Sequence, residues 1–125
     1  MSKKLVIILA NTDLRNGDEI GPPIFQASLA ASMEYEVDVY CTGPSGQLMK
    51  KGIAEGLVSS TEDRATVYDH IRAAHDAGAK FFCCSPTLDL FDMTEEDLIP
   101  ECEGILGGSH VIEEIMESDC RILSY

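Results

Sequence analysis

The chain alternates between short apolar runs and amphipathic segments over its whole length. Apolar stretches at 5–10, 37–41, 81–84 and 121–125 predict four strands, and a brief strand is expected at 57–58. Continuous apolar runs are typical of parallel strands that are buried on both faces. Strands that alternate with helices indicate a mainly parallel sheet with helices on both faces. We therefore predict one doubly wound α/β domain spanning residues 1–125.

Helical patterns occupy the segments between these strands. Pro22 and Pro23 suit the first turn of a helix that continues at spacings of four residues. The apolar positions of this helix are Phe25, Leu29 and Met33. A short helix is expected over residues 46–56, with Leu48, Met49 and Ile53 on its apolar side.

The later helices carry recognisable end signals. Hydroxyl and acidic residues at 59–63 predict a capped helix start, and Gly78 ends that helix. Its inward positions are Val67, Ile71 and Ala74. A second capped start is expected at 94–97. The glycines at 107 and 108 precede a last helix, whose apolar stripe is Val111, Ile112, Ile115 and Met116.

Composition and charge narrow the classes of function. Nine basic against 22 acidic residues give a net charge of −13, which would repel a phosphate backbone and so excludes nucleic acid as a partner. Such a surface favours partners that carry a basic patch. No apolar run approaches the roughly 20 residues that span a bilayer, so no membrane partner is expected. The five cysteines are odd in number and two are adjacent, unlike a secreted disulfide framework, and we expect a cytoplasmic protein with free thiols.

Cys83 and Cys84 end the third predicted strand, and Ser85 and Pro86 stop it. The carboxyl end of a strand in an open α/β sheet is where ligands and reactive groups collect. Successive strand side chains point to opposite faces, so only one thiol can face a cleft if both residues are extended. A disulfide between neighbours would be strained, because their α-carbons lie about 3.8 Å apart, below the usual range. A helix start soon after the pair could lower a thiol pKa through its backbone N–H groups.

The other three cysteines are weaker candidates. Cys102 is expected between two helices as a relay or resolving thiol, although its two flanking glutamates should raise its pKa. Cys41 and Cys120 lie at strand ends and are interpreted as structural.

Among the three histidines, His110 follows a glycine step at a helix N-terminus, a position suited to anion binding or acid–base work. His70 and His75 are interpreted as solvated, because their spacing of five residues is not that of a metal-binding pair. A zinc site built from Cys83, Cys84, Cys102 and His110 is an alternative, but it lacks C-x-x-C spacing and no metal is predicted.

These segments together resemble a known family. Cys84 to Phe91, then Asp97-Leu98-Ile99 and then Gly107-Gly108, follow the order seen in small DsrE/F-like sulfur-relay proteins. The resemblance implies a flavodoxin-like, doubly wound fold that assembles as homotrimers or hexamers. It also implies that Cys84 accepts sulfane sulfur as a persulfide and exchanges it with other sulfur carriers, such as TusA-like proteins. Cys83 falls where the family often has a small residue.

The first hypothesis is therefore a cytoplasmic sulfur carrier or sulfurtransferase of sulfur metabolism that needs no cofactor. Cys84 would attack a donor persulfide, with Cys83 receiving or releasing the sulfur and with Cys102 or His110 in support. The alternatives are a redox-sensing or ligand-binding module built on the adjacent thiols, and a scaffold subunit without chemistry.

Overall fold

The computed structural model describes residues 3–11, 15, 17–58, 65–117 and 119–125. Within these residues the chain forms five strands and four α-helices. In chain order they are β1 (Lys4–Leu9), α1 (Gly17–Ser32), β2 (Glu36–Cys41), α2 (Val67–Ala77), β3 (Lys80–Cys84), α3 (Ser85–Leu90), β4 (Cys102–Leu106), α4 (Gly108–Met116) and β5 (Cys120–Ser124). None of the described helices has the length and apolar character needed to cross a membrane.

The five strands form one parallel sheet in the order β4-β3-β2-β1-β5. The predicted α/β class and the four long strands are therefore confirmed. The brief strand expected at 57–58 is reduced to an isolated bridge between Val58 and Thr66. Because all strands run in the same direction, their carboxyl ends meet at one edge, where Leu9 neighbours Cys41 and Cys41 neighbours Cys83.

One face of the sheet carries the main hydrophobic core. Alternate residues of the three central strands point to this face, and helices α1 and α2 cover it. The fully buried side chains there include Ile7, Leu9, Val37, Val39, Phe81, Ile20, Ile24 and Ile71. The prediction that Val67, Ile71 and Ala74 face inward is confirmed, as is the helix end at Gly78, which adopts a left-handed φ of 117°.

Helix α1 buries a different stripe from the apolar positions that its sequence spacing marks. Its buried positions include Ile20, Ile24, Ala27 and Ala31, whereas Phe25, Leu29 and Met33 are 56%, 48% and 63% exposed. Both stripes have helical spacing, and the stripe that contains Ile20, Ile24 and Ala27 is the one that joins the core with the sheet and α2. The helix also begins at Gly17, ahead of the two prolines.

The segment around Cys102 is a strand and not the interhelical loop that the sequence predicts. Residues 102–106 form β4 at one edge of the sheet, with a register shift where the strand meets Phe81 and Phe82. The expected helix at 46–56 is two 3₁₀ segments, Gly43–Met49 and Ala54–Gly56, and the start expected at 94–97 is a single 3₁₀ turn. The start predicted at 59–63 lies outside the described residues.

The second face of the sheet is held by charged contacts under α4. Lys4 Nζ lies 2.7 Å from Asp38 Oδ2 and 2.5 Å from Glu114 Oε2, and the Tyr40 hydroxyl donates to Asp38 at 3.3 Å. This network joins β1 and β2 to α4. Val111 and Ile115 of this helix are half-buried, while the other half of its predicted stripe, Ile112 and Met116, is exposed.

Candidate functional site

The adjacent thiols lie at the carboxyl end of β3, as the sequence predicts. Helix α3 begins at Ser85 immediately after them, so Cys84 is its N-cap residue. Pro86 stands in the first turn of α3, where its missing N–H costs nothing because the first N–H groups of a helix have no partner within it. Cys84 is therefore the last residue of β3 and lies at the carboxyl edge of the sheet.

The sheet sends the two side chains to opposite faces. Cys83 is 0% exposed and belongs to the main core beneath the α1–α2 layer, whereas Cys84 is partly exposed. Cys84 keeps extended backbone angles, with φ −75° and ψ 134°. Alternation along an extended strand thus separates the thiols, and the geometry disfavours a direct disulfide between them.

A 3₁₀ segment after β2 contacts both the Cys83 thiol and helix α3. This loop, Gly43–Met49, is tied to α3 by a hydrogen bond that Thr87 Oγ1 donates to the Gly43 carbonyl oxygen at 3.0 Å. The Cys83 thiol contacts the Gly46 carbonyl oxygen at an S···O distance of 3.7 Å. Thr87 is fully buried, and a Cβ atom on Gly46 would lie only 2.4 Å from Thr87 Cγ2. The close contact therefore requires a glycine at position 46.

Sequence reasoning does not single out Thr87 or Gly46. The signal that marks this loop is the turn Gly43-Pro44-Ser45-Gly46, which directly follows the carboxyl end of β2. The role of Thr87 depends on a contact across 44 residues, which no local pattern reveals.

Burial governs the ionisation of both thiols. It raises the pKa of Cys83 to about 12, with the neighbouring Cys102 and Cys84 adding to the shift. Burial also raises the pKa of Cys84, and a hydrogen bond from the Ser85 backbone N–H opposes that shift without reversing it. The expected lowering by a helix start is thus present, but desolvation outweighs it. Cys84 is the thiol that solvent reaches and Cys83 is held neutral.

Three thiols lie on the core side of the sheet, two of them at its carboxyl edge and Cys102 at the start of β4. Cys41 and Cys83 are register neighbours in β2 and β3, and Cys102 interacts electrostatically with both. Burial raises the pKa of Cys41 and of Cys102. For Cys102 the neighbouring Glu103 adds a smaller increase, which agrees in direction with the prediction from its flanking glutamates. Cys102 therefore neighbours buried Cys83.

His110 lies in the first turn of α4, as predicted, and its Nε2 atom is 3.6 Å from Glu114 Oε1. His75 pairs with Glu103 across 3.2 Å, so it is not simply solvated. Cys120 begins β5 at the opposite end of the strands. Among the described residues, no three histidine, cysteine, aspartate or glutamate side chains gather closely enough to hold a metal ion.

The sequence model of the DsrE/DsrF/DrsH-like family matches residues 45–123, which include Cys83, Cys84, Cys102 and His110. The match covers more than half of the chain, and the chain belongs to this family. No functionally curated protein shows significant similarity to it.

Solved structures of the same fold include three proteins of low sequence identity. The YchN protein from E. coli aligns over 100% of both chains with a TM-score of 0.76 and 12% identity. MTH1491 from Methanobacterium thermoautotrophicum, a protein of unknown function, aligns over 100% of both chains with a TM-score of 0.69 and 15% identity. BT1422 from Bacteroides thetaiotaomicron, also of unknown function, gives 0.69 and 15% over 97% of this chain and 94% of its own. At these identities the similarity establishes the fold alone.

Proposed function

We propose that this protein is a sulfur carrier or sulfurtransferase in which Cys84 accepts sulfane sulfur as a persulfide. The observation that carries the proposal is the different placement of the two adjacent thiols. Cys84 is partly exposed at the carboxyl edge of the sheet, and Cys83 is sealed in the core with a pKa of about 12. Family membership supports a role in sulfur relay.

The transfer step exchanges one sulfur–sulfur bond for another. The Cys84 thiolate attacks the outer sulfur of a donor persulfide, the donor's S–S bond breaks, and the donor leaves as a thiolate. The hydrogen on the outer sulfur travels with it, so Cys84 becomes a persulfide. An acceptor thiolate then attacks the same outer sulfur and Cys84 leaves as a thiolate. No external oxidant, reductant or cofactor is required because the sulfur moves at constant oxidation level.

The neighbouring groups have supporting roles in this proposal. Cys83 is adjacent to the acceptor Cys84 in sequence, but its side chain faces the core. We therefore assign Cys83 a packing role in the core and no attack on a donor. Cys102 neighbours Cys83, and a relay from Cys84 to Cys102 would have to cross the sheet. None of the described hydrogen bonds or ion pairs of His110 involves Cys84, and we assign His110 no step.

The proposed partners are other sulfur-carrier proteins, such as TusA-like ones, in the cytoplasm. A net charge of −13 favours a donor or acceptor that presents a basic patch around its own cysteine. A homotrimer or hexamer is the proposed assembly, and it rests on the family resemblance.

Intact mass after exposure of the reduced protein to a persulfidated carrier protein tests the proposal. We expect additions of about 32 Da per sulfur atom that a reductant removes. Cys84→Ser should abolish the addition, whereas Cys120→Ser, which removes another partly exposed thiol, should leave it unchanged. Cys83→Ser should retain loading but lower stability by about 1–3 kcal/mol, because it buries a hydroxyl in place of a thiol.

Two outcomes would overturn the proposal. Equal loading of Cys84→Ser would place the acceptor elsewhere. If thiosulfate, polysulfide and the persulfidated protein all fail to load the protein, the remaining hypotheses are a redox module and a scaffold. Reversible oxidation of the wild-type protein by peroxide would then favour the redox module, and no oxidation would favour the scaffold.

A further inference from the structure

The edge strand β5 leaves backbone hydrogen-bonding groups exposed. In the described part of the chain β5 pairs with β1 alone and ends the sheet. The Tyr125 N–H donates to the Ile8 carbonyl oxygen, and the Asp119 carbonyl oxygen accepts from the Lys4 N–H. The backbone N–H and C=O groups of the odd-numbered residues in this segment therefore point toward β1. Because backbone groups alternate along a strand, the N–H and C=O groups of Ile122 and Ser124 point away from the sheet.

An apolar groove runs beside the exposed strand. It has a volume of about 430 Å³ and lies between β5 and the outer surface of α1. Leu29, Met33 and Leu123 line it and are 48%, 63% and 38% exposed. Exposed apolar side chains that form one continuous surface indicate an interaction site, unlike single exposed residues. Leu29 and Met33, two of the three exposed apolar residues that the sequence places on α1, are therefore part of a candidate interaction surface.

The groove also differs in charge from the rest of the chain. Its described lining includes Lys3, Lys4 and Arg121 and contains no aspartate or glutamate, although the chain has 22 acidic residues. Asp38 and Glu114 already neutralise Lys4. Lys3 and Arg121 remain on the groove as exposed cations. A segment that combines apolar side chains with carboxylates would therefore complement it.

We propose that β5 and this groove bind an extended, acidic and apolar segment of a partner protein as a sixth strand. The segment's backbone would pair with Ile122 and Ser124, and its apolar side chains would enter the groove while carboxylates meet Lys3 and Arg121. A two-fold pairing of two β5 edges fits less well, because it would bring the same cations face to face. The site is independent of the thiols.

Peptide binding tests the proposal on the full-length, reduced protein. The probe is a fluorescent, end-blocked synthetic peptide with the repeat Val-Thr-Glu-Thr, so that one face of the added strand carries both valine and glutamate. We expect saturable binding by fluorescence anisotropy and slower hydrogen exchange at the Ile122 and Ser124 amides. The Leu123 amide, which already faces β1, should change little. Arg121→Glu should weaken binding by about tenfold or more, whereas Lys80→Glu, the same charge change on β3, should have a small effect.

A peptide with N-methylated backbone amides and the same side chains should not bind, because it cannot complete the strand pairing. The proposal is overturned by three results: no saturable binding of the unmodified peptide, equal binding to Arg121→Glu, or protection at other amides. Protection of Ile122 and Ser124 that grows with protein concentration in the absence of peptide would make a second copy the occupant and would also overturn it.

Discussion

Replacing Gly46 with alanine should destabilise the packing of the Gly43–Met49 segment against Cys83 and Thr87. The new Cβ would lie 2.4 Å from Thr87 Cγ2, 2.6 Å from Thr87 Oγ1 and 2.8 Å from Thr87 Cβ. Ordinary contacts begin near 3.4 Å, so the loop and α3 must separate by about 1 Å. Both residues are buried, and the cost should resemble overpacking of a core, about 1–3 kcal/mol.

Urea unfolding followed by circular dichroism measures this cost. The matched control is Gly56→Ala, which also sits in a 3₁₀ segment but has no atom within 4 Å of its added Cβ. We expect that control to be neutral or stabilising by up to about 1 kcal/mol, because alanine restricts the unfolded chain more than glycine does.

A double-mutant cycle identifies Thr87 as the cause. Thr87→Ala alone should cost about 1 kcal/mol or more, because it removes the hydrogen bond to Gly43 and a buried methyl group. It also removes the two shortest clashes, so the pair Gly46→Ala with Thr87→Ala should cost less than the sum of the single changes. Additive costs, or a Gly46→Ala variant as stable as Gly56→Ala, would refute the packing described for this loop.

Two further predictions concern ionisation. Because burial raises the pKa of Cys84, the rate at which iodoacetamide alkylates this thiol should still increase above about pH 8.5. A rate that reaches its plateau below that pH would mean that the hydrogen bond from the Ser85 N–H affects the Cys84 pKa more than burial does. Glu114→Gln should lower the urea midpoint more at about pH 7 than at about pH 3. The hydrogen bond from Lys4 lowers the pKa of Glu114. The ionised Glu114 side chain therefore stabilises the fold above the unfolded-state pKa near 4.3, and this stabilisation is lost as the pH falls. A difference in midpoint that does not vary with pH would contradict this role for Glu114.

Part of the candidate site was predictable from sequence. The apolar run that ends in Cys83 and Cys84, followed by Ser85 and Pro86, indicates a strand that stops at the reactive edge of a parallel sheet. Alternation along that strand also predicts that one thiol at most faces a cleft. It does not say which one, since the choice depends on which face α1 and α2 cover.

The missed strand β4 shows a limit of local patterns. Its sequence, Cys-Glu-Gly-Ile-Leu, is short, contains a glutamate and a glycine, and lacks a continuous apolar run. An edge strand needs less apolar surface than a central one, and its pairing with β3 supplies hydrogen bonds that no local propensity records.

The sequence by itself determined the order of the four long strands and of helices α1, α2 and α4, the α/β class and the position of the thiol pair at a strand end. These features follow from apolar periodicity and end signals, which act between near neighbours in the chain. Only the tertiary structure decided that Ile20 and Ile24 face inward instead of Phe25 and Leu29, and that Cys83 is buried while Cys84 meets solvent. Burial is a property of the packed layers, because two faces with the same periodicity become distinct only when another element covers one of them.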